Sequence, residues 1–113
     1  MDQVVQHLLT KGPLVAGTLW LRDMFAVDSK GFLRVGGTEE GGHAYLVLGV
    51  DLERKCPDGS AGSLLIANSW GRRWGKKDAK GKQTGRAFIS MKDFQTLMAA
   101  DGEVATVTEV KRN

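Results

Sequence analysis

Cysteine occurs once among the 113 residues, tyrosine once, and proline and histidine twice each. A single thiol excludes an internal disulfide, and without a Cys pair or a His/Cys cluster the common zinc frameworks are excluded as well. Neither a metal nor another cofactor is expected. No apolar run approaches the length of a membrane span, and Asp2 stands where a secretory leader would be basic, so the expected location is cytoplasmic with no membrane partner.

Glycine, by contrast, is abundant, with fifteen residues. That number points to tight turns and closely approaching backbone, and it argues against a helical bundle. With 42% hydrophobic and 26% charged residues, the chain has the balance of a folded domain, and its length fits one domain over 1–113. The net charge is +3, and the excess is local. Arg72, Arg73, Lys76, Lys77, Lys80, Lys82 and Arg86 crowd together with only Asp78 among them, in a Gly-rich stretch over 71–85. This stretch reads as a solvated loop. Arg72, Arg73, Trp74, Lys76, Lys77, Lys80 and Lys82 are its candidate contacts for a partner, either an acidic protein surface or nucleic acid. No helix-turn-helix, zinc or paired aromatic pattern supports the nucleic-acid option.

Along the chain, Val4, Val5, Leu8 and Leu9 share one face of a helix over 2–10, which Gly12-Pro13 ends. His7 on that helix has no second ligand or base partner nearby in sequence and is read as structural. Residues 14–20 suit a buried strand, 21–25 a turn or a single helical turn, and 32–35 a short strand after the Asp28-Ser29-Lys30-Gly31 turn. The run Gly36 to Gly42 reads as a loop delivering His43, with Glu39 and Glu40 facing water. His43 to Val50 is the strongest strand. His43, Tyr45 and Val47 alternate with Ala44, Leu46 and Leu48, and both faces carry apolar groups, as in a central strand. A polar connection over 51–62 leads to a return strand from Leu64 to Asn68, so antiparallel pairing would bring Asn68 beside His43 at one sheet end. A strand over 86–91, a helix capped near Ser90 and a last strand over 104–110 complete the pattern. The fold class expected is α+β: mainly an antiparallel sheet or partial barrel with short N-terminal and C-terminal helices.

Histidine can take a proton from a thiol and return it to a leaving group, and a polar side chain beyond it fixes the ring's orientation and tautomer. Asn68 suits that role, with Trp70 and Trp74 as apolar cover. Spacing alone favours a structural His and Asn pair satisfying one another at a sheet edge, with the two tryptophans filling the core. The wording narrows this. Gly12-Pro13-Leu14-Val15-Ala16-Gly17, Gly42-His43-Ala44, Asn68-Ser69-Trp70-Gly71-Arg72-Arg73-Trp74-Gly75 and Gly85-Arg86-Ala87-Phe88-Ile89 together resemble the C-terminal, barrel-like half of papain-like cysteine peptidases, especially the bacterial branch. The resemblance implies that His43 matches the catalytic base, Asn68 its orienting residue and Trp70 the indole shielding their bond. It also implies that the half carrying the nucleophilic Cys and the oxyanion Gln is absent from these residues.

Cys56 lies in the connection between the two signature strands, away from the end that presents His43. A free-standing peptidase is therefore not expected. The first expectation is a catalytically incomplete papain-like domain that binds a protein and inhibits or regulates it. The first alternative is one half of a split cysteine peptidase, with the Cys supplied by another chain, and the second is nucleic-acid binding through the basic loop. A second copy of the chain is a further candidate partner, through the surface that the other half would cover.

Overall fold

The computed structural model describes residues 2–68 and 74–106. Glycine, β-branched and alternating apolar residues place five strands among the described residues in one antiparallel sheet. The strands are β1 (Leu14–Leu21), β2 (Glu39–Lys55), β3 (Ala61–Ala67), β4 (Arg86–Ser90) and β5 (Glu103–Thr106). Their order across the sheet is β4-β3-β2-β1-β5, so the strand bearing His43 is central. Of two short helices, α1 (Asp2–Thr10) precedes β1 and α2 (Met91–Ala99) lies between β4 and β5. This is the α+β architecture expected, compatible with a papain-like half-domain.

Strict alternation in β1 sends Leu14, Ala16, Thr18 and Trp20 inward. They meet Tyr45 and Val47 from β2, Leu64 and Ile66 from β3, and Ala87 and Ile89 from β4. Phe94 and Leu97 of α2 and Val4 of α1 close this core. The start of α2 is set chemically: Ser90 is extended at the N-cap, and its hydroxyl accepts a hydrogen bond from the Asp93 amide at 3.0 Å, satisfying a donor that the helix leaves open. No helix among the described residues is long and apolar enough to cross a membrane.

Four segments depart from the expectations. β2 begins at Glu39, so the glycine-rich approach to His43 is partly strand: Gly42 pairs with Leu19 and Glu39 with Leu21 across a bulge. Backbone pairing to β1 overrides the poor strand propensity of Gly41 and Gly42. The segment over 32–35 is no continuous strand; it makes only the isolated bridges Val27 to Leu33 and Phe32 to Phe88. β2 runs on to Lys55, leaving a tight turn from Cys56 to Ser60 as the connection, with Gly59 at φ 87° and the Cys56 amide donating to the Ser60 carbonyl at 2.9 Å.

The basic stretch, finally, is no plain loop where it is described. Gly85 N donates to the Trp74 carbonyl, Lys76 N to Arg86, Thr84 N to Lys76 and Asp78 N to Lys82, which makes 74–86 a narrow hairpin turning at Gly81. The last strand is described to Thr106, and its expected continuation to 110 lies outside the described residues. Glu39 and Glu40 are exposed as expected, and Glu40 lies 3.5 Å from Arg22 in a surface pair of little energetic weight.

Candidate active-site half

The site is a product of register. β2 and β3 are antiparallel with Leu46 opposite Ala67, so Asn68 leaves β3 beside Tyr45 and His43, at the end of β2 nearest its start. The Asn68 amide donates at 2.9 Å to the Gly85 carbonyl, which ties the residue to the base of the hairpin. His43 Nε2 and Asn68 Oδ1 are 2.8 Å apart. A carboxamide oxygen can only accept, so Nε2 carries the hydrogen and donates it. In the neutral ring Nδ1 is then the nitrogen that takes up a proton. Asn68 is 9% exposed, and its Nδ2 has no hydrogen-bond partner among the described residues.

Two aromatic residues that sequence reading left in the core also shape the imidazole's surroundings. Trp20 stands edge-on to the His43 ring with centroids 5.0 Å apart, and Tyr45 stacks beside it at 6.1 Å. The available signal was pairing: Thr18 faces His43 across β1 and β2, so Trp20, two residues on and on the same face, falls diagonal to it. Tyr45 is itself held by a 2.9 Å hydrogen bond between its hydroxyl and that of Thr18.

Burial pushes the Tyr45 phenol from its ordinary 10.0 up to about 12, against a smaller lowering by the Thr18 bond. Below pH 10 the phenol is protonated in the folded and unfolded chains alike, and its contribution to stability is complete. Between pH 10 and about 12 only the unfolded chain ionises, and stability falls. Denaturant midpoints should therefore decline across that window, by about 2 to 3 kcal/mol in total, and Tyr45→Phe should flatten the decline. An equal decline in Tyr45→Phe would assign it elsewhere.

Of the expected site residues, His43 and Asn68 are brought together. Trp70, Arg72 and Arg73 lie outside the described residues. Trp74 must be removed from the partner contacts: it is 3% exposed, its Nε1 donates to the Met24 carbonyl at 3.2 Å, and its ring lies 5.9 Å from Trp20. An indole with an apolar body and one satisfied N–H belongs in a core, and here it backs the Trp20 that faces His43. Lys77, Lys80 and Lys82 are exposed and Lys76 is half-buried.

Cys56 sits beyond Lys55, at the other end of β2 from His43. Its thiol donates to the Gly62 carbonyl at 3.3 Å. Burial pushes its pKa up, Asp58 and Asp93 add to that, and the Ser60 hydrogen bond and Arg54 oppose it. A buried, protonated thiol at the wrong end of the hairpin is a poor nucleophile. Among the described residues no group of three His, Cys, Asp or Glu is placed to hold a metal ion.

An imidazole whose tautomer is set by a buried carboxamide, at the end of the central strand of an antiparallel sheet, has the arrangement that a general base with its orienting residue needs. The comparisons with known proteins bear on the chain's family. No family model matches the chain. Among curated proteins it is 32% identical over 101 residues to cathepsin Q of Rattus norvegicus, which takes in 85% of this chain and 29% of that protein. It is 29% identical over 77 residues to cathepsin B-like cysteine proteinase 5 of Caenorhabditis elegans, covering 68% of this chain and 21% of the relative. With cathepsin B-like cysteine proteinase 3 of Ostertagia ostertagi the identity is 32% over 74 residues, covering 66% and 40%. The chain thus spans between 21% and 40% of the length of these relatives. It is related to the papain-like (C1) cysteine proteinases. The relatives named are animal proteins and give no support to the bacterial branch.

Proposed function

We propose that this chain is the base-bearing half of a papain-like cysteine peptidase site, completed by a cysteine and an oxyanion donor from residues outside these 113. The observation that carries this reading is the 2.8 Å His43 Nε2 to Asn68 Oδ1 bond. A scaffold kept only for docking has no need of a tautomer-fixed imidazole. Its presence favours chemistry over the purely regulatory reading.

In the completed site a thiol placed at His43 Nδ1 gives up its proton to form a thiolate and imidazolium pair, which Asn68 holds in orientation through Nε2–H. The thiolate attacks the scissile carbonyl, His43 passes the proton from Nδ1 to the leaving amine, and an acyl-enzyme remains. Water, activated by the same nitrogen, then cleaves the thioester and restores the thiol. The Trp20 edge keeps bulk water off one side of the imidazole.

The test is recombination with the Cys-bearing half. Supporting results are labelling of that cysteine by a thiol-directed peptide probe and hydrolysis of a fluorogenic peptide, both appearing only when the parts are mixed. Tight association without labelling or hydrolysis would instead support a papain-like domain that binds and regulates a protein. Absence of association would remove the catalytic reading.

A further inference from the structure

The hairpin supports the His43 site at its base, through Trp74 and Gly85, while its basic residues form a separate feature. Its two arms are paired through the Lys76, Asp78, Thr84 and Gly85 amides, and the residues that alternate along them line one groove of about 530 Å³. Lys76, Lys80, Lys82 and Arg86 reach this groove, with Leu65 of β3 at its floor. Asp78 is its one acidic residue, and the Asp78 carboxylate is committed to the turn: Oδ1 accepts from the Lys80 amide at 2.8 Å and the Lys82 amide at 3.0 Å. Neither ion pair found among the described residues involves the hairpin. Four cations therefore line the groove against one carboxylate, and none of them is in an ion pair found among the described residues; Lys76 Nζ also lies 5.7 Å from the centre of the Phe88 ring. The excess of positive charge favours an anion in the groove.

We infer that this groove binds an acidic polypeptide segment in extended conformation. The cations are spread over both arms and the turn of the hairpin, from Lys76 and Arg86 at its base to Lys80 and Lys82 at its tip, so an extended segment, with carboxylates on alternate residues recurring at about 7 Å, can meet several of them at once. The Arg86 guanidinium can grip one carboxylate with two parallel N–H bonds, and the lysines serve as point charges. Leu65 and the lysine stems offer apolar surface to the methylenes of glutamate side chains. No aromatic side chain lines the groove, so nucleic-acid bases would find no stacking platform. The inference is independent of the reading of His43.

Fluorescence anisotropy with a labelled oligoglutamate peptide tests it on the purified protein at low salt. Lys80→Gln with Lys82→Gln, both exposed beside the hairpin turn, is expected to weaken binding about tenfold. The control Lys11→Gln with Lys92→Gln, which removes the same charge elsewhere, should change it by less than about twofold. The inference is overturned if oligoglutamate does not bind, or if the control weakens binding as much as the hairpin variant. Tighter, equally variant-sensitive binding of a single-stranded oligothymidylate of the same charge would overturn it in favour of nucleic acid. Circular dichroism of each variant confirms that the fold is intact.

Discussion

His43→Ala is expected to abolish probe labelling of the completed site and to lower kcat/KM for peptide hydrolysis by about 10²- to 10⁴-fold, the range a positioned general base commands. Asn68→Ala should fall short of that, at on the order of 10²-fold, because the base survives and only its orientation is lost. The distinction follows from geometry. Without Oδ1 at 2.8 Å from Nε2, the hydrogen bond that favours the Nε2–H tautomer is lost, and the ring spends less of its time aiming Nδ1 at the nucleophile. Tautomer populations from imidazole nitrogen-15 shifts provide a readout separate from activity. They should move in Asn68→Ala whether or not the other half is present. Activity unchanged in His43→Ala would refute the catalytic reading, while unchanged tautomer populations in Asn68→Ala would refute the orienting role.

The largest stability effect is expected at a residue with no side chain. Gly75 lies at φ 104°, in the region that favours glycine, and a Cβ there would collide with the Arg86 carbonyl oxygen while lying 2.7 Å from the Arg86 amide nitrogen. Both are backbone atoms of β4, which cannot step aside without leaving the sheet. Gly75→Ala should cost about 3 kcal/mol or more. The damage should not stay local, because the Lys76 amide bonds the Arg86 carbonyl and Gly85, one residue earlier, receives the amide of Asn68. Gly81 supplies the control. It too has positive φ, at 78°, but nothing lies within 4 Å of an added Cβ, so Gly81→Ala should cost only about 1 kcal/mol of backbone strain. Urea denaturation of the two variants side by side checks the difference; equal losses would show that the close approach to Arg86 carries no special cost.

This also explains in physical terms why part of the molecule was readable in advance. Alternation along Leu14–Leu21 and His43–Val50 reports which face is buried, and the two signature strands are adjacent in sequence, so pairing them needed no further information. The return of Asn68 to His43 was legible for that reason. The start of β2 at Glu39 was not, because Gly41 and Gly42 have no side chains to alternate; their strand conformation comes from Leu19 and Leu21 across the bulge. The 74–86 hairpin was missed for a related reason. Lysine, glycine and threonine read as solvent-loving loop, and only backbone hydrogen bonds reveal its two arms. Trp74 reads two ways in sequence, as apolar cover and as a partner contact in the basic stretch. Its burial agrees with the first and not the second, and its N–H finds the Met24 carbonyl fifty residues earlier in the chain. Contacts at such separation have no periodic signature in sequence.

The nearness in sequence of the base and its holder has a consequence for ancestry. His43 and Asn68 lie twenty-five positions apart, and one hairpin spans them, so a single contiguous segment encodes both. Gene rearrangements that break the polypeptide elsewhere carry the pair along intact, whereas a nucleophile drawn from another fold unit must be matched to it anew.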